Sequence, residues 1–502
     1  MIPSSYQQAV YDEIEEGTGN IVINAVAGSG KTTTIVHALK KISIRKRILF
    51  CAFNNSIVTE LKNRCPSHVR VTTLHSLGWY AMNRYYGRET IELDPNKAYK
   101  TAEKLYKSSV PPIQRNYYFL TLSKLVDLYR VNLARGRNQL LEIAIKHDID
   151  FTDEMIDQAL VLHATMAKNT KVFDFTDMIY VPAILDDIRM DKYDYIFIDE
   201  CQDLNTAQQT LVMRCRAKEC RVISVGDKQQ AIYGFAGADH ESFEKLANME
   251  DTKVLPLSIC YRCAKTIVEK AQEIVPHIEF HPSAPEGECR AGSTLEIRNG
   301  DWVLCRNVKP LIVLCVDLIS KGKRAHVKGA EIGRAIITML RKTEKTSYKS
   351  ALLTLLTGLK KLEKDLLKQG VFEPLKHPRY VNMKERISVI AFLGRGCIST
   401  KQIISQLERI FKEEQGGISL STIHKSKGLE NDRVFIICPE LLPSKYATQP
   451  WQLEQERNLT YVAYTRAKKQ LIIVNDFTQS VSDFRSVDLT SIEQQSHAIQ
   501  YK

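Results

Sequence analysis

Two short stretches carry residues spaced for phosphate chemistry. Ala25 to Thr32 reads AVAGSGKT, the pattern G-x-x-x-x-G-K-[ST] with alanine at the first glycine. Gly28 and Gly30 let main-chain N–H groups curl around phosphate oxygens, and Ala27, Ser29 and Thr33 lie beside them in the chain. Lys31 has the reach for β- and γ-phosphates, and the Thr32 hydroxyl suits Mg²⁺. The second stretch, YIFIDECQD, sets Asp199 and Glu200 at the carboxyl end of an apolar run. Open α/β sheets bind ligands at that edge. There one carboxylate can hold Mg²⁺, usually through water, while the next polarises an attacking water. By itself the loop signifies a nucleotide and no more.

Groups placed this way need a parallel sheet behind them. NIVINAVAGSGKTTTIVHALKKI reads strand, Gly-rich loop, helix, and KRILFCAFNNSIVTELKNR repeats the order. YDYIFIDECQDLN and CRVISVGDKQQAIYGF are two further strands ending in polar residues. Continuous apolar strands alternating with helices indicate a parallel sheet covered on both faces. Residues 77–170 and 310–415 instead show helical spacing, as in NKAYKTAEKLYKS and LLTLLTGLKKLEKDLLKQG. Strand signals return at GISLSTIHKSKGLENDRVFIIC and KKQLIIV. The expected organisation is a first α/β core from 1–76 and 171–255 and a second from 256–309 and 416–480. Helical insertions fill 77–170 and 310–415, and a tail of 481–502 is too short for an attached nuclease domain.

The chain has 502 residues, 44% of them hydrophobic, enough for more than one core. Its net charge of +12 favours a polyanionic partner. No apolar stretch reaches the length of a membrane span, and the N-terminus lacks the basic-then-apolar order of a secretory signal. The 12 cysteines are scattered, often in apolar runs, which fits buried free thiols in a reducing cytoplasm.

Further motifs add specificity. The chain resembles a superfamily 1 helicase of the UvrD/Rep/PcrA type, nearer its compact phage or F-box-helicase-like members. DECQD matches that family's second motif and VGDKQQAIYGFAGA its third. TTLHSLG and DFTDM resemble its T-x-H-S/G-L and D-F-x-D-L segments. LSICYRC, STIHKSKGLENDRV and ERNLTYVAYTRAKK resemble its fourth, fifth and sixth motifs. Together these run in family order from about Tyr6 to Lys469. The resemblance implies an α/β fold of two RecA-like P-loop NTPase cores, parallel sheets flanked by helices, each with a mainly helical insertion. It also implies ATP and Mg²⁺, with Thr32 and Asp199 at the metal.

Carried over by position, the resemblance has Gln7 or Gln8 read the adenine edge and Tyr261 stack on the base. Gln230 would sense the γ-phosphate, Glu430 would contact the nucleotide sugar region, and Arg262 and Arg466 would contact the γ-phosphate. Charge spreads over the transferred phosphoryl oxygens, and an arginine presents a planar set of donors to it. For DNA the resemblance implies Phe53, Asn54, Asn55, Thr73, His75, Tyr233, Phe235, Thr422 and His424. Aromatic faces bind a single strand without reading its sequence; for Phe235 core packing is the alternative. Three departures stand out: Ala25 in the loop, Cys260 for a common asparagine, and Ala236 for a common arginine that would contact phosphate or nucleotide.

Cys260, Cys263, His277 and His281 form C-x₂-C followed by H-x₃-H, a zinc-finger spacing. Pro276 before the first histidine breaks the helix a finger needs, so CAKTIVEKAQEIV is expected to be an amphipathic helix instead. Lys40, Lys41, Arg45, Lys46 and Arg47 are expected on a solvated turn, and Tyr117, Tyr118 and Phe119 on a DNA path or in a core. In LTYVAYTRAKKQLIIV, from Leu459 to Val474, a buried helix leads to a core strand. Arg466 is expected to face the nucleotide, with Lys468 and Lys469 solvated.

The implied activity is ATP-dependent translocation on single-stranded DNA, with 3′→5′ unwinding in replication, repair or recombination. A 5′→3′ helicase and an ATPase that remodels protein–DNA complexes are the alternatives. The implied partners are single-stranded DNA, its junctions with duplex, and replication or repair proteins, with no membrane. The implied location is a bacterial or phage-infected cytoplasm, or a nucleus in a eukaryote.

Overall fold

The computed structural model describes residues 2–477 except 113–114, 148, 150, 235–236, 240, 369–372, 376, 414–415 and 476. The expected tail, 481–502, lies outside the described residues. The chain divides into two compact units: Met1–Tyr261 with His277–Glu279, and Arg262–Pro276 with Phe280–Lys502.

The first unit is built on a six-stranded sheet. Its strands are β1 (Asn20–Ala25), β2 (Ile48–Ala52), β3 (Val69–Thr73), β6 (Tyr193–Ile198), β7 (Arg216–Gly226) and β8 (Thr252–Leu257). Their order is β3-β2-β6-β7-β1-β8, every pairing parallel. The two-residue strands β4 (Glu92–Leu93) and β5 (Val172–Phe173) pair separately. Period-2 alternation divides the sheet's side chains between two cores. Ile21, Ile23, Phe50 and Val71 pack under α1 (Ser5–Glu16), α2 (Lys31–Leu39) and α3 (Asn55–Arg64). Val22, Leu49, Cys51 and Val222 pack under α4 (Leu74–Tyr86), α9 (Asp177–Ile184), α10 (Thr206–Met213) and α11 (Ser242–Ala247).

Helices α5 (Lys97–Tyr106), α6 (Arg115–Val131), α7 (Gly136–Lys146) and α8 (Asp153–Ala167) form an insertion with its own apolar cluster. Phe119 is fully buried there, and Tyr118 donates to Gln158 Oε1 at 2.8 Å. Helix α4, at the start of the expected insertion, belongs to the sheet's core, because Leu74, Leu77, Ala81 and Met82 pack with the strands. Insertion and core are joined by buried charge. Arg130 of α6 pairs with Asp174 at 2.9 Å and Asp177 at 2.8 Å, and Lys97 of α5 with Asp177 at 2.8 Å. The DFTDM segment therefore supplies carboxylates that hold the insertion in place. Breaking such a buried pair costs about 3–5 kcal/mol.

The short strands β9 (Ile259–Cys260) and β10 (Glu279–Phe280) fall where the chain passes from one unit to the other. The second unit has its own six-stranded parallel sheet: β11 (Glu288–Ala291), β12 (Trp302–Cys305), β13 (Ala325–Val327), β14 (Ile418–Thr422), β15 (Asn431–Ile437) and β16 (Ala467–Val474). The order is β11-β16-β15-β12-β14-β13. Helices α12 (Lys265–Gln272), α13 (Val308–Ser320), α18 (Ile423–Ser426) and α19 (Pro450–Tyr464) accompany it. Helices α14 (Ala330–Arg341), α15 (Tyr348–Lys368), α16 (Pro378–Leu393) and α17 (Thr400–Ile410) form the second insertion. Its leucines and isoleucines join one continuous apolar core with the sheet, unlike the first insertion. Within the span expected to be helical, β13 is a sheet strand and α13 packs against it. Three residues leave no alternation to read in the sequence. Among the described residues no helix is long and apolar enough to cross a membrane.

Candidate functional site

The strand order of the first unit brings three polar strand ends to one edge. β7 lies between β6 and β1, with Asn24 opposite Gly226 and Ile198 opposite Ser224. The loop after β1, the acidic pair after β6 and the turn after β7 are therefore neighbours.

Gly28 and Gly30 adopt left-handed φ of 68° and 79°, which a residue with a Cβ rarely adopts. Gly30 is the N-cap of α2, whose first residue is Lys31. Ala27 and Ser29 are buried, and Ser29 Oγ has no hydrogen-bond partner among the described residues. A buried hydroxyl without a partner in a turn of left-handed glycines at a helix N-terminus fits an anion with several oxygens. Lys31 Nζ lies 3.9 Å from Glu200 Oε1. Thr32 and Thr33 are half-buried, and Arg64 donates to Thr33 Oγ1 at 3.1 Å.

Glu200 is also left-handed, at φ 51° and ψ 44°. For a residue other than glycine that backbone costs roughly 1–3 kcal/mol and marks a position fixed by its surroundings. Asp199 is buried, and its Oδ1 accepts from Glu200 N at 3.0 Å. The Thr32 hydroxyl and the Asp199 carboxylate are the hard oxygen donors that Mg²⁺ prefers.

The two glutamines at the N-terminus separate clearly. Gln7 is buried, donates to Thr34 Oγ1 at 3.1 Å, and lies 3.5 Å from the Tyr261 hydroxyl. A Cβ placed on Gly30 would meet Gln7 Nε2 and Tyr261 Cδ2, so both side chains flank the loop. Tyr261 keeps 37% exposure, and its backbone N–H donates to Gly28 O at 2.9 Å. Gln8 instead donates to Asp12 on the exposed side of α1, away from the loop.

Gln230 is buried and donates to Asp227 Oδ2 at 2.6 Å. Asp227 is fully buried, and burial pushes its carboxyl above the usual range while nearby Lys31 opposes the shift. Asp227 and Gln202 were not among the residues expected at this site. Gln202 sits in DECQD and Asp227 in VGDKQQ; for Asp227, a polar residue directly after an apolar strand was the available signal.

The DNA-binding candidates of the first unit cluster at the same sheet edge. Phe53, 47% exposed, stacks with Tyr233 at 5.9 Å and 13° between ring planes. Asn54 caps α3 by accepting from Ile57 N at 3.0 Å, and Asn55 is exposed in its first turn. Thr73 caps α4 by accepting from Ser76 N at 3.1 Å. His75 lines a cleft of about 200 Å³ with Phe53, Asp199 and Asp203, and burial lowers its pKa. Phe235 and Ala236 lie outside the described residues.

In the second unit Arg262 pairs with Glu430 at 2.5 Å and donates to Thr465 O at 3.3 Å. Arg466 is 1% exposed. Its Nε donates to Val462 O at 3.0 Å and its Nη1 to Leu429 O at 2.8 Å. Its guanidinium is held by carbonyls of its own unit, because a buried cation needs acceptors. Lys469 is exposed and pairs with Asp432 at 2.7 Å, and partly exposed Lys468 lies 3.6 Å from the same carboxylate. Lys41 likewise pairs with Glu15 at 2.5 Å. Thr422 precedes α18, and burial pulls His424 down to about 4.

The zinc-like residues do not converge. Among the described residues no three His, Cys, Asp or Glu side chains gather to hold a metal ion. Cys260 and Cys263 are buried, His281 bonds Ser283 at 2.7 Å, and α12 occupies the span between the cysteines and the histidines.

Residues 6–250 match the UvrD/REP helicase N-terminal domain and residues 381–476 the UvrD-like helicase C-terminal domain. The chain is 29% identical over 289 residues to the ATP-dependent DNA helicase PcrA of Staphylococcus epidermidis, covering 52% of this chain and 38% of that one. It is 27% identical over 294 residues to PcrA of Staphylococcus aureus, covering 53% and 39%. The chain thus spans about two fifths of the length of the curated relatives it matches. With both domains matched in order on two parallel-sheet units, it belongs to the superfamily 1 helicases of the UvrD/Rep/PcrA type.

Proposed function

We propose that the chain is an ATP- and Mg²⁺-dependent DNA helicase that moves 3′→5′ on single-stranded DNA and opens duplex at the junction. The observation carrying this reading is the shared sheet edge of the first unit. A glycine loop with a partnerless buried hydroxyl, an acidic pair with left-handed Glu200 and an exposed aromatic stack lie on neighbouring strand ends. A site that binds triphosphate and a shelf that binds bases can then influence each other through a few residues.

Lys31 and the loop N–H groups hold phosphate oxygens, and Gln7 with Tyr261 frames the base. Glu200 orients and polarises the attacking water. Thr32 and Asp199 would hold Mg²⁺, which supplies charge neutralisation on the phosphates. Gln230 senses the terminal phosphate. Arg262, Glu430 and Arg466 are assigned to nucleotide turnover by their motifs. Phe53 and Tyr233 offer π-faces to bases, while Asn54, Asn55, Thr73, His75, Thr422 and His424 contact the strand. Replication, repair or recombination is the setting this activity would serve.

The test is strand displacement on DNA and RNA duplexes carrying a 3′ or a 5′ single-stranded tail, with ATP turnover measured alongside. The expected result is DNA-stimulated turnover and displacement of the 3′-tailed DNA duplex. Displacement only from 5′ tails would reverse the polarity. Turnover without displacement on any tail would favour a remodelling ATPase.

A further inference from the structure

The side chain of Gln202 is buried between two groups that the proposed chemistry needs. Its Nε2 donates to Glu200 Oε2 at 2.5 Å, and its Oε1 accepts from Asp227 N at 3.0 Å. The amide orientation follows from chemistry: a main-chain N–H can only donate, and a carboxylate can only accept. Asp227 in turn accepts from Gln230 at 2.6 Å. One continuous chain of hydrogen bonds therefore runs Glu200–Gln202–Asp227–Gln230, with Lys31 on the other Glu200 oxygen at 3.9 Å.

The backbone is shaped around this bridge. A Cβ on Gly226 would collide with Gln202 Oε1 and Cys201 Sγ, so glycine permits the amide to reach Asp227 N. On the other side, the left-handed backbone of Glu200 turns its carboxylate into the amide's reach. A side chain that only filled space would need neither feature.

Resting on the ATPase reading above, we infer that Gln202 is a positioning residue that couples the Glu200 carboxylate to the Asp227–Gln230 turn. Its amide donor fixes the rotamer of the Glu200 carboxylate. Its carbonyl ties that carboxylate to the turn carrying the phosphate sensor. A movement of Gln230 is thereby transmitted to the group that orients the attacking water.

Gln202→Glu is nearly isosteric and separates this role from packing. One oxygen still accepts from Asp227 N, while the other faces Glu200 across the former 2.5 Å contact. Two carboxylates at that distance repel, and Glu200 loses the donor that holds its rotamer. We expect kcat to fall at least about fivefold while KM for ATP changes less than about threefold. Binding of a fluorescent ATP analogue should stay within roughly threefold of the unaltered chain, which also reports a folded site. Gln202→Leu removes both bonds and should lower kcat at least about tenfold at every pH with nucleotide binding retained. A Gln202→Glu variant with the kcat of the unaltered chain, or full turnover in Gln202→Leu, would overturn the assignment. Absent turnover in the unaltered chain would instead remove the ATPase reading and this inference with it.

Discussion

Replacing Arg466 with alanine should damage stability as well as turnover, and the structure sets the size of the first effect. The guanidinium donates to Val462 O at 3.0 Å and Leu429 O at 2.8 Å. Val462 O also accepts from Thr465 Oγ1 at 3.3 Å, so it keeps a partner when the arginine goes. Leu429 O loses its donor from Arg466. Hydrogen bonds from a charged donor contribute about 1.5–3 kcal/mol each, and truncating a fully buried side chain leaves a cavity. With the Val462 bond discounted, a loss of about 3–4 kcal/mol follows for Arg466→Ala. For a unit of this size that corresponds to roughly 10 °C in the melting temperature of its transition. Calorimetry on the full chain reads this, and ATP turnover below the melting range reads the catalytic loss. Arg466→Lys keeps the charge without the planar fork, so it should regain part of the stability and little turnover. A melting temperature within about 2 °C of the unaltered chain would refute the anchoring role. Weakened DNA binding with turnover spared would show instead that Arg466 serves as part of a basic DNA patch.

Lys31→Ala should abolish ATP turnover while calorimetry and circular dichroism show the fold largely kept; substantial turnover would refute the phosphate-loop assignment. Gln7→Ala should weaken ATP binding and relax base selectivity, whereas Gln8→Ala should leave both unchanged, measured as competition between ATP and other nucleoside triphosphates. Phe53→Ala and Tyr233→Ala should each weaken single-stranded DNA by about 1–3 kcal/mol, fivefold or more in Kd, at constant salt. His424 titrates near 4 in the fold and about 6.5 when unfolded. Its contribution is therefore full above pH 6.5 and falls away as pH drops toward 4, by up to roughly 3 kcal/mol. Denaturant melts of His424→Gln should lack this part of the acid destabilisation.

The sequence alone determined the chemistry of individual stretches. A Gly-rich loop after an apolar run, a D-E pair ending another and the ordered motifs up to Lys469 were legible because covalent spacing fixes local geometry. The two parallel sheets were legible for the same reason: strands buried on both faces leave continuous apolar runs.

What the tertiary structure decided is which side chains meet. Strand order, which no local pattern encodes, put β7 between β1 and β6 and so made Asp227 and Gln202 part of the site. Gln7 and Gln8 are equivalent as residue types; the helical phase of α1 against Gly30 and Tyr261 distinguishes them. Arg466, Lys468 and Lys469 adjoin in sequence, but the sequence could not show that Asp432 pairs with the lysines or that main-chain carbonyls accept from the arginine. Partners of that kind come from segments distant in sequence, and only packing brings them within bonding range.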